Sequence, residues 1–127
     1  MTVAKAYNCR VCGAQKTLLT ELPDTVNDPW VVSKVEGGKY GPAAKTVHEN
    51  NPEARILASQ EVFDCRCGHV ESFSVVTMIG LGGVIFRSEI FCPRCGGHMN
   101  CRRDLPNMIP CDICRNFMIG SPEIKLN

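Results

Sequence analysis

The chain has 127 residues, a formal net charge of +1 from 14 Lys and Arg against 13 Asp and Glu, and 44% apolar residues, nine of them cysteines. Without the cysteines the apolar share is roughly 37%; with 6% aromatics, 11 Gly and 8 Pro, this is a thin core that argues for cross-links. The balance argues against a strongly basic polyanion binder, and no apolar run approaches the ~18 residues of a membrane span.

In chain order, the stretch from Met1 to Cys9 has no apolar core of a secretory signal, so a reducing, cytoplasmic compartment and no membrane are expected. A first cysteine turn, Cys9-Arg-Val-Cys12-Gly, precedes a predicted strand over 16–22. Residues 23–60 read as an irregular insertion. Pro23 to Pro29 make a turn, Trp30-Val-Val-Ser-Lys-Val35 looks like a short strand, and Gly37 to Pro42 break it. Asn51-Pro52-Glu53 then reads as the cap and first turn of a short helix ending near Ala58. Gly37-Gly-Lys39 lacks the spacing and the Ser/Thr of a phosphate loop. His48 carries no signal. The stretch 61–97 is the best organised: Phe63 leads into Cys65 and Cys67, a strand over 70–79 puts Phe73, Val75 and Ile79 on one face, Gly80 to Gly83 turn, and residues 84–91 return to Cys92. Residues 96–110 leave little room for regular strands. The chain ends, 1–22 and 101–127, are expected to be joined by a second metal site.

Eight cysteines form four tight pairs, Cys9/Cys12, Cys65/Cys67, Cys92/Cys95 and Cys111/Cys114. Thiolates one or two residues apart can face one ion, and the donor set predicts two tetrahedral four-thiolate sites for structural Zn²⁺. Disulfides fit poorly, because the cysteine count is odd and such close pairs make strained bridges. Eight deprotonated thiolates lower the formal +1 by eight and two divalent ions restore four, leaving −3. Six of the eight arginines (Arg10, Arg66, Arg94, Arg102, Arg103, Arg115) sit in or beside the cysteine turns. They either neutralise the thiolate centres or form a local basic face for phosphates.

Phe63-x-Cys65-x-Cys67-Gly68, a hairpin, then Cys92-Pro-Arg-Cys95-Gly-Gly97 resembles the zinc-ribbon superfamily, which includes ribbons of transcription elongation factors and of small phage and bacterial regulators. The resemblance covers about residues 61–97. It implies a small, metal-stabilised, mainly β fold built on zinc-ribbon hairpins with two four-cysteine sites and irregular connecting segments. The first pair is Cys-x-Cys, and no acidic pair stands at the hairpin tip, so a cleavage-stimulating activity is not implied. Ribbons serve DNA, RNA and protein contacts alike.

Two partitions of the ligands are open. The nested one joins Cys65, Cys67, Cys92 and Cys95 across the hairpin, and Cys9, Cys12, Cys111 and Cys114 across the chain ends. The sequential one joins Cys9/Cys12 to Cys65/Cys67, and Cys92/Cys95 to Cys111/Cys114 across a 15-residue loop. Cys101 is left over, as a small buried residue or a substitute ligand; His69 and His98 are either surface histidines beside the turns or substitutes for a cysteine. A rubredoxin-like iron site would use the same thiolates. His69-Val-Glu71 ahead of a Cys-x-x-Cys has the elements of a zinc deaminase, but Phe91 stands where a proline should precede Cys92, and Gly96-Gly97 would break the helix that must follow. The same glycines argue against a thiol oxidoreductase at Cys92/Cys95. No enzyme and no small-molecule substrate are therefore expected. The leading function is a zinc-ribbon interaction module docking onto a larger protein or nucleoprotein assembly, transcription-related or of phage-accessory type, with Trp30, Tyr40 and Phe117 as contact anchors or core fillers. The alternative is direct DNA or RNA binding through Arg94, Arg102 and Arg103.

Overall fold

The structure, a computed structural model, describes residues 2–126. Its elements in chain order are β1 (Thr2–Cys9), β2 (Gln15–Glu21), α1 (Pro29–Glu36), α2 (Pro42–Asn50), β3 (Arg55–Asp64), β4 (Val70–Gly80), β5 (Gly83–Arg87), β6 (Asn100–Arg102), β7 (Met108–Pro110), β8 (Phe117–Gly120) and β9 (Ile124–Leu126). The fold is mainly β, with two short helices. Two compact units divide the chain. The first takes the residues up to Glu21, then Gln60–Phe73, then those from Glu89 onward; the second takes Leu22–Ser59 and Ser74–Ser88.

The first unit is an antiparallel sheet. β1 pairs with β2 from Thr2↔Glu21 to Asn8↔Gln15. On its other edge it pairs with β8 near Cys9 and with β9 near Ala4. β7 adds to β8, Glu21 of β2 pairs with Gln60 of β3, and β6 pairs with β3 around Phe63↔Cys101. The period-two rule then sorts the side chains. Lys5, Tyr7 and Cys9 of β1 turn inward, and Ala6 and Asn8 outward. Tyr7, Leu18, Val62, Val70, Leu105, Ile109 and Met118 form the core together with Cys9 and Cys111. Inward polar atoms find partners, as burial demands: Lys5 Nζ donates to Asn107 Oδ1 at 3.0 Å, and the Tyr7 hydroxyl to the Pro106 carbonyl. Gly120 is required by this packing. A Cβ there would lie 2.9 Å from the Tyr7 ring and 3.2 Å from the Asn107 carbonyl.

The second unit corrects the expectation of an irregular 23–60. Trp30 to Val35 form a helix, not a strand. Asp28 caps it by accepting the Trp30 N–H at 2.8 Å, Pro29 opens the first turn, and Val31, Val32 and Val35 bury against the core. Cap and proline thus override the strand preference of the β-branched residues. The expected helix over 51–58 is also absent. Asn51 ends α2 instead, its backbone N–H and Nδ2 both reaching the Val47 carbonyl, and Pro52 follows as a helix stop. The chain then extends into β3, and Ile56 enters the core. Val35, Ala44, Ile56, Val76 and Met78 are fully buried, with Tyr40, Val47 and Phe86 packed against them.

The hairpin β4–β5 turns at Gly80↔Gly83, with a register shift between Met78 and Ile79. Val75 is buried, while Phe73 and Ile79 are half-buried; Val76 and Met78, two residues apart and ahead of the shift, line the core from the other face. The return strand is shorter than expected and stops at Arg87. Ser88 Oγ takes the Val76 N–H at 3.0 Å in place of a ladder carbonyl, and two residues later the Ile90 carbonyl accepts from Met99. Residues 96–110, expected to hold little strand, carry the three-residue β6 and β7. Among the described residues no helix is long and apolar enough to cross a membrane.

Candidate metal centre

All four cysteine turns lie in the first unit and share one backbone plan. The first Cys donates its N–H to a carbonyl beyond the turn and accepts an N–H from the residue after the second Cys. Cys9 pairs in this way with Ala14 and Gly13, Cys92 with Gly97 and Gly96, and Cys111 with Asn116 and Arg115, at 2.6–3.1 Å. The shorter Cys-x-Cys turn uses His69 and Gly68, both at 2.9 Å. The closing residue is left-handed each time: Gly13 at φ 78°, Gly68 at 97°, Gly96 at 76° and Arg115 at 67°. Three are glycines, as that conformation favours; Arg115 is the exception.

These turns aim the thiols into two groups, Cys9, Cys12, Cys111 and Cys114 in one and Cys65, Cys67, Cys92 and Cys95 in the other, with the four sulfurs of each within 4.8 Å of one another. The nested partners come together and the sequential ones do not. Cys9 Sγ lies 3.4 Å from Cys114 Sγ and Cys12 Sγ 3.5 Å from Cys111 Sγ; the other group shows 3.3 Å for Cys65–Cys95 and 3.7 Å for Cys67–Cys92. A tetrahedral ion with ~2.3 Å bonds sets its sulfurs about 3.8 Å apart, so both groups can hold a metal ion with small adjustments. Gly97 lies over one site, where a Cβ would sit 3.3 Å from Cys95 Sγ.

The thiols are electrostatically divided. The side-chain amide and backbone N–H of Asn116 favour the Cys114 thiolate and bring it down to about 6. Burial opposes ionisation of Cys92, but the N–H groups of Cys95 and Arg94 outweigh it, again to about 6. Cys12 goes the other way: the Ala14 N–H favours its thiolate, yet burial and the Cys111 sulfur push it up to about 12. Cys65 follows, the Cys67 N–H being outweighed by the Cys95 sulfur and burial, to about 12. Four thiolates cannot ionise side by side without a cation among them, and a divalent ion removes the conflict.

A second set of contacts joins the two groups. Asp112, between Cys111 and Cys114, accepts Lys16 Nζ on Oδ2 at 2.8 Å. Its Oδ1 meets Arg94 Nη1 at 3.2 Å and His69 Nδ1 at 3.0 Å. Burial raises the Asp112 carboxyl, but Lys16 and His69 hold it below its ordinary value. Arg115 Nη1 donates to the Cys67 carbonyl at 3.1 Å. His69 is buried rather than on the surface, and its Nε2 lies 2.7 Å from Glu71 Oε1. It contributes no ligand atom to either group.

The remaining candidates lie elsewhere. His98 is exposed and packs edge-on against Phe91. Cys101 is exposed on β6, not buried, with Sγ 3.2 Å from Glu61 Oε1. Arg102 is engaged by Asp64 at 3.0 Å and reaches Asp104 at 3.7 Å. Arg103 is exposed beside Asp104 and Glu123 in a shallow cleft. In the second unit Trp30 stands 72% exposed on α1 with the Lys34 ammonium 5.4 Å from its ring, and Tyr40 packs on the core.

Phe117, a candidate contact anchor, is exposed, but sequence reasoning missed the rest of the outer face of the first unit. Pairing sets Met108 opposite Ile119, Pro110 opposite Phe117, and Ile124 opposite Ala4, all away from the core. Phe117 is 61% exposed, Ile124 55% and Met108 51%. The outward residues of β1, β2, β7, β8 and β9 include one charged side chain, Glu21, at the end of β2. The signal was available in the alternation of Phe117-x-Ile119 and Ile124-x-Leu126. No protein-family model, curated protein or solved structure matches this chain.

Proposed function

We propose that this chain is a non-catalytic interaction module, stapled by two structural zinc ions, that docks onto a protein partner within a larger protein or nucleoprotein assembly. Four thiolates are the donor set that structural zinc favours, and a full shell leaves no position for water or substrate. The thiolates need a reducing compartment, in keeping with a cytoplasmic protein. The observation that carries docking is the outer sheet face, where Met108, Phe117, Ile119, Ile124 and Leu126 are exposed on neighbouring strands. Several large apolar side chains exposed on one face of a sheet are the mark of a contact surface. The partner it suits is itself an apolar, uncharged protein surface, because this face offers almost no charge for phosphates or acidic peptides.

Direct nucleic-acid binding is the weaker reading. Two of its three arginines, Arg94 and Arg102, are engaged with carboxylates, and a phosphate would have to displace them. The test places a charge on the face, Phe117→Glu with Met108→Glu. A stoichiometric protein partner that wild type retains at high salt, and that this variant loses while still carrying two ions, supports docking. A partner retained by the variant overturns the assigned face, and self-association lost in the variant makes the partner a second copy. DNA or RNA binding whose salt slope falls in Arg103→Ala establishes the other reading.

A further inference from the structure

We infer that the two four-cysteine sites load their ions cooperatively, with Asp112 as the positioning residue that couples them. The inference rests on the reading that both sites bind zinc. Asp112 belongs to one site's turn, and Arg94, between Cys92 and Cys95, to the other's; their side chains meet at 3.2 Å. His69 closes the Cys65 turn through its backbone carbonyl, and its ring meets Asp112 at 3.0 Å. Arg115 closes the Cys111 turn and reaches back to the Cys67 carbonyl at 3.1 Å. Three contacts therefore join residues whose own backbone is ordered by opposite sites.

Each turn is a few residues long and holds its shape when its thiolates are pinned to an ion. An ion in the first site fixes Arg94, His69 and the Cys67 carbonyl where the second site's turn can use them. The second site then orders a turn whose partners are already placed, and part of the entropy cost has been met. Linkage makes the effect reciprocal. The contacts are partly exposed, so the coupling belongs near the low end of the usual 5–150-fold range, at about tenfold.

The test is a Zn²⁺ titration of the metal-free protein against a competing chelator, read by native mass spectrometry as chains carrying zero, one or two ions. The ratio of the second stepwise binding constant to the first is expected to fall about tenfold in Asp112→Ala, so that singly loaded chains accumulate at half-loading. Arg94→Gln removes one contact without touching the second turn and is expected to shift the ratio the same way by a smaller factor. A purely local role for Asp112 would weaken the site it belongs to even when that site loads alone, so Asp112→Ala is repeated in a Cys92→Ser, Cys95→Ser background: a loss of affinity that persists there overturns the coupling, and a loss confined to the two-site chain supports it. An unchanged ratio in both variants overturns the coupling and leaves the zinc reading standing. A wild-type chain that takes up fewer than two ions overturns the zinc reading and the coupling with it.

Discussion

All nine cysteines fall in the first unit and none in the second, so the two are held together by different means. The first unit counts Cys9 and Cys111 among its core residues and draws its paired thiols into two metal-ready groups. The second has an ordinary apolar core in which Val35, Ala44, Ile56, Val76 and Met78 are fully buried between two helices and a hairpin. On the proposed reading, the contrast is between a unit that needs ions and one that folds on its apolar side chains. A stretch with few apolar residues folds if enough of them sit on the inward faces of α1, α2 and β4, whereas short turns such as 9–14 and 111–116 bury little and need a cross-link.

Metal removal is expected to separate the two units most sharply. Structural zinc contributes on the order of 10–16 kcal/mol per site in small fingers, so a chelator is expected to abolish amide-exchange protection in β1, β2, β7 and β8. Protection in α1, α2 and β5 is expected to survive better. Simultaneous loss in both units under hydrogen exchange would show one cooperative body in place of two; protection retained in the first unit would remove the ions from its stability altogether.

The converse experiment empties the second core. Met78→Ala deletes a fully buried side chain and should cost about 2–5 kcal/mol, read by denaturant unfolding of the second unit. The ion count by native mass spectrometry should remain two. A lost ion would tie the units more closely than their contents suggest.

A smaller effect isolates the turn geometry. Gly13 has φ 78° and open space around its missing Cβ, so Gly13→Ala should cost about 1–2 kcal/mol through backbone conformation alone. Arg115→Gly runs the same exchange in reverse, relieving a left-handed arginine while losing its bond to the Cys67 carbonyl, and should be close to neutral in thermal melting. A large destabilisation there would give the side-chain bond more weight than the backbone.

The mildest handle is pH. Burial, then the charge of Glu123, raises the Tyr7 phenol to about 12 from its ordinary 10. Because the folded value is the higher one, this contribution is complete below pH 10 and is lost as pH rises toward 12. Tyrosinate absorbance of a Tyr40→Phe variant, in which Tyr7 alone reports, should show the late titration and a parallel loss of stability.

The cysteine turns are legible in the sequence because their chemistry is local: each pair lies within a few residues and carries its own closing residue. Which pairs share an ion is not, since the deciding contacts join residues as far apart as Cys9 and Cys114, 105 positions along the chain. Trp30 to Val35 reads as a strand from its valines, although Asp28-Pro29 holds the helix-start signal and Val31, Val32 and Val35 the helical spacing. Asn51-Pro52 does mark a helix boundary, but the helix lies before it rather than after. Asp112 is invisible for another reason. A single acid between two cysteines has no pattern of its own, and its partners come from positions 16, 69 and 94.

The pairing of Glu21 with Gln60 brings the two ends of the stretch between them together. The excursion from Leu22 to Ser59 leaves β2 and returns along β3, and together with Ser74–Ser88 it makes up the second unit. Closing a gap grows costlier only slowly with length, by roughly 0.6 kcal/mol for each doubling, so chain length is not what binds this excursion in place; its Val35, Ala44 and Ile56 share a core with Val76 and Met78, and it can be removed only together with Ser74–Ser88. A chain joined by short turns from Glu21 to Gln60 and from Phe73 to Glu89 would omit the second unit whole and retain every sulfur of both groups, which makes these two junctions the natural seams for a minimal version that keeps both candidate metal sites.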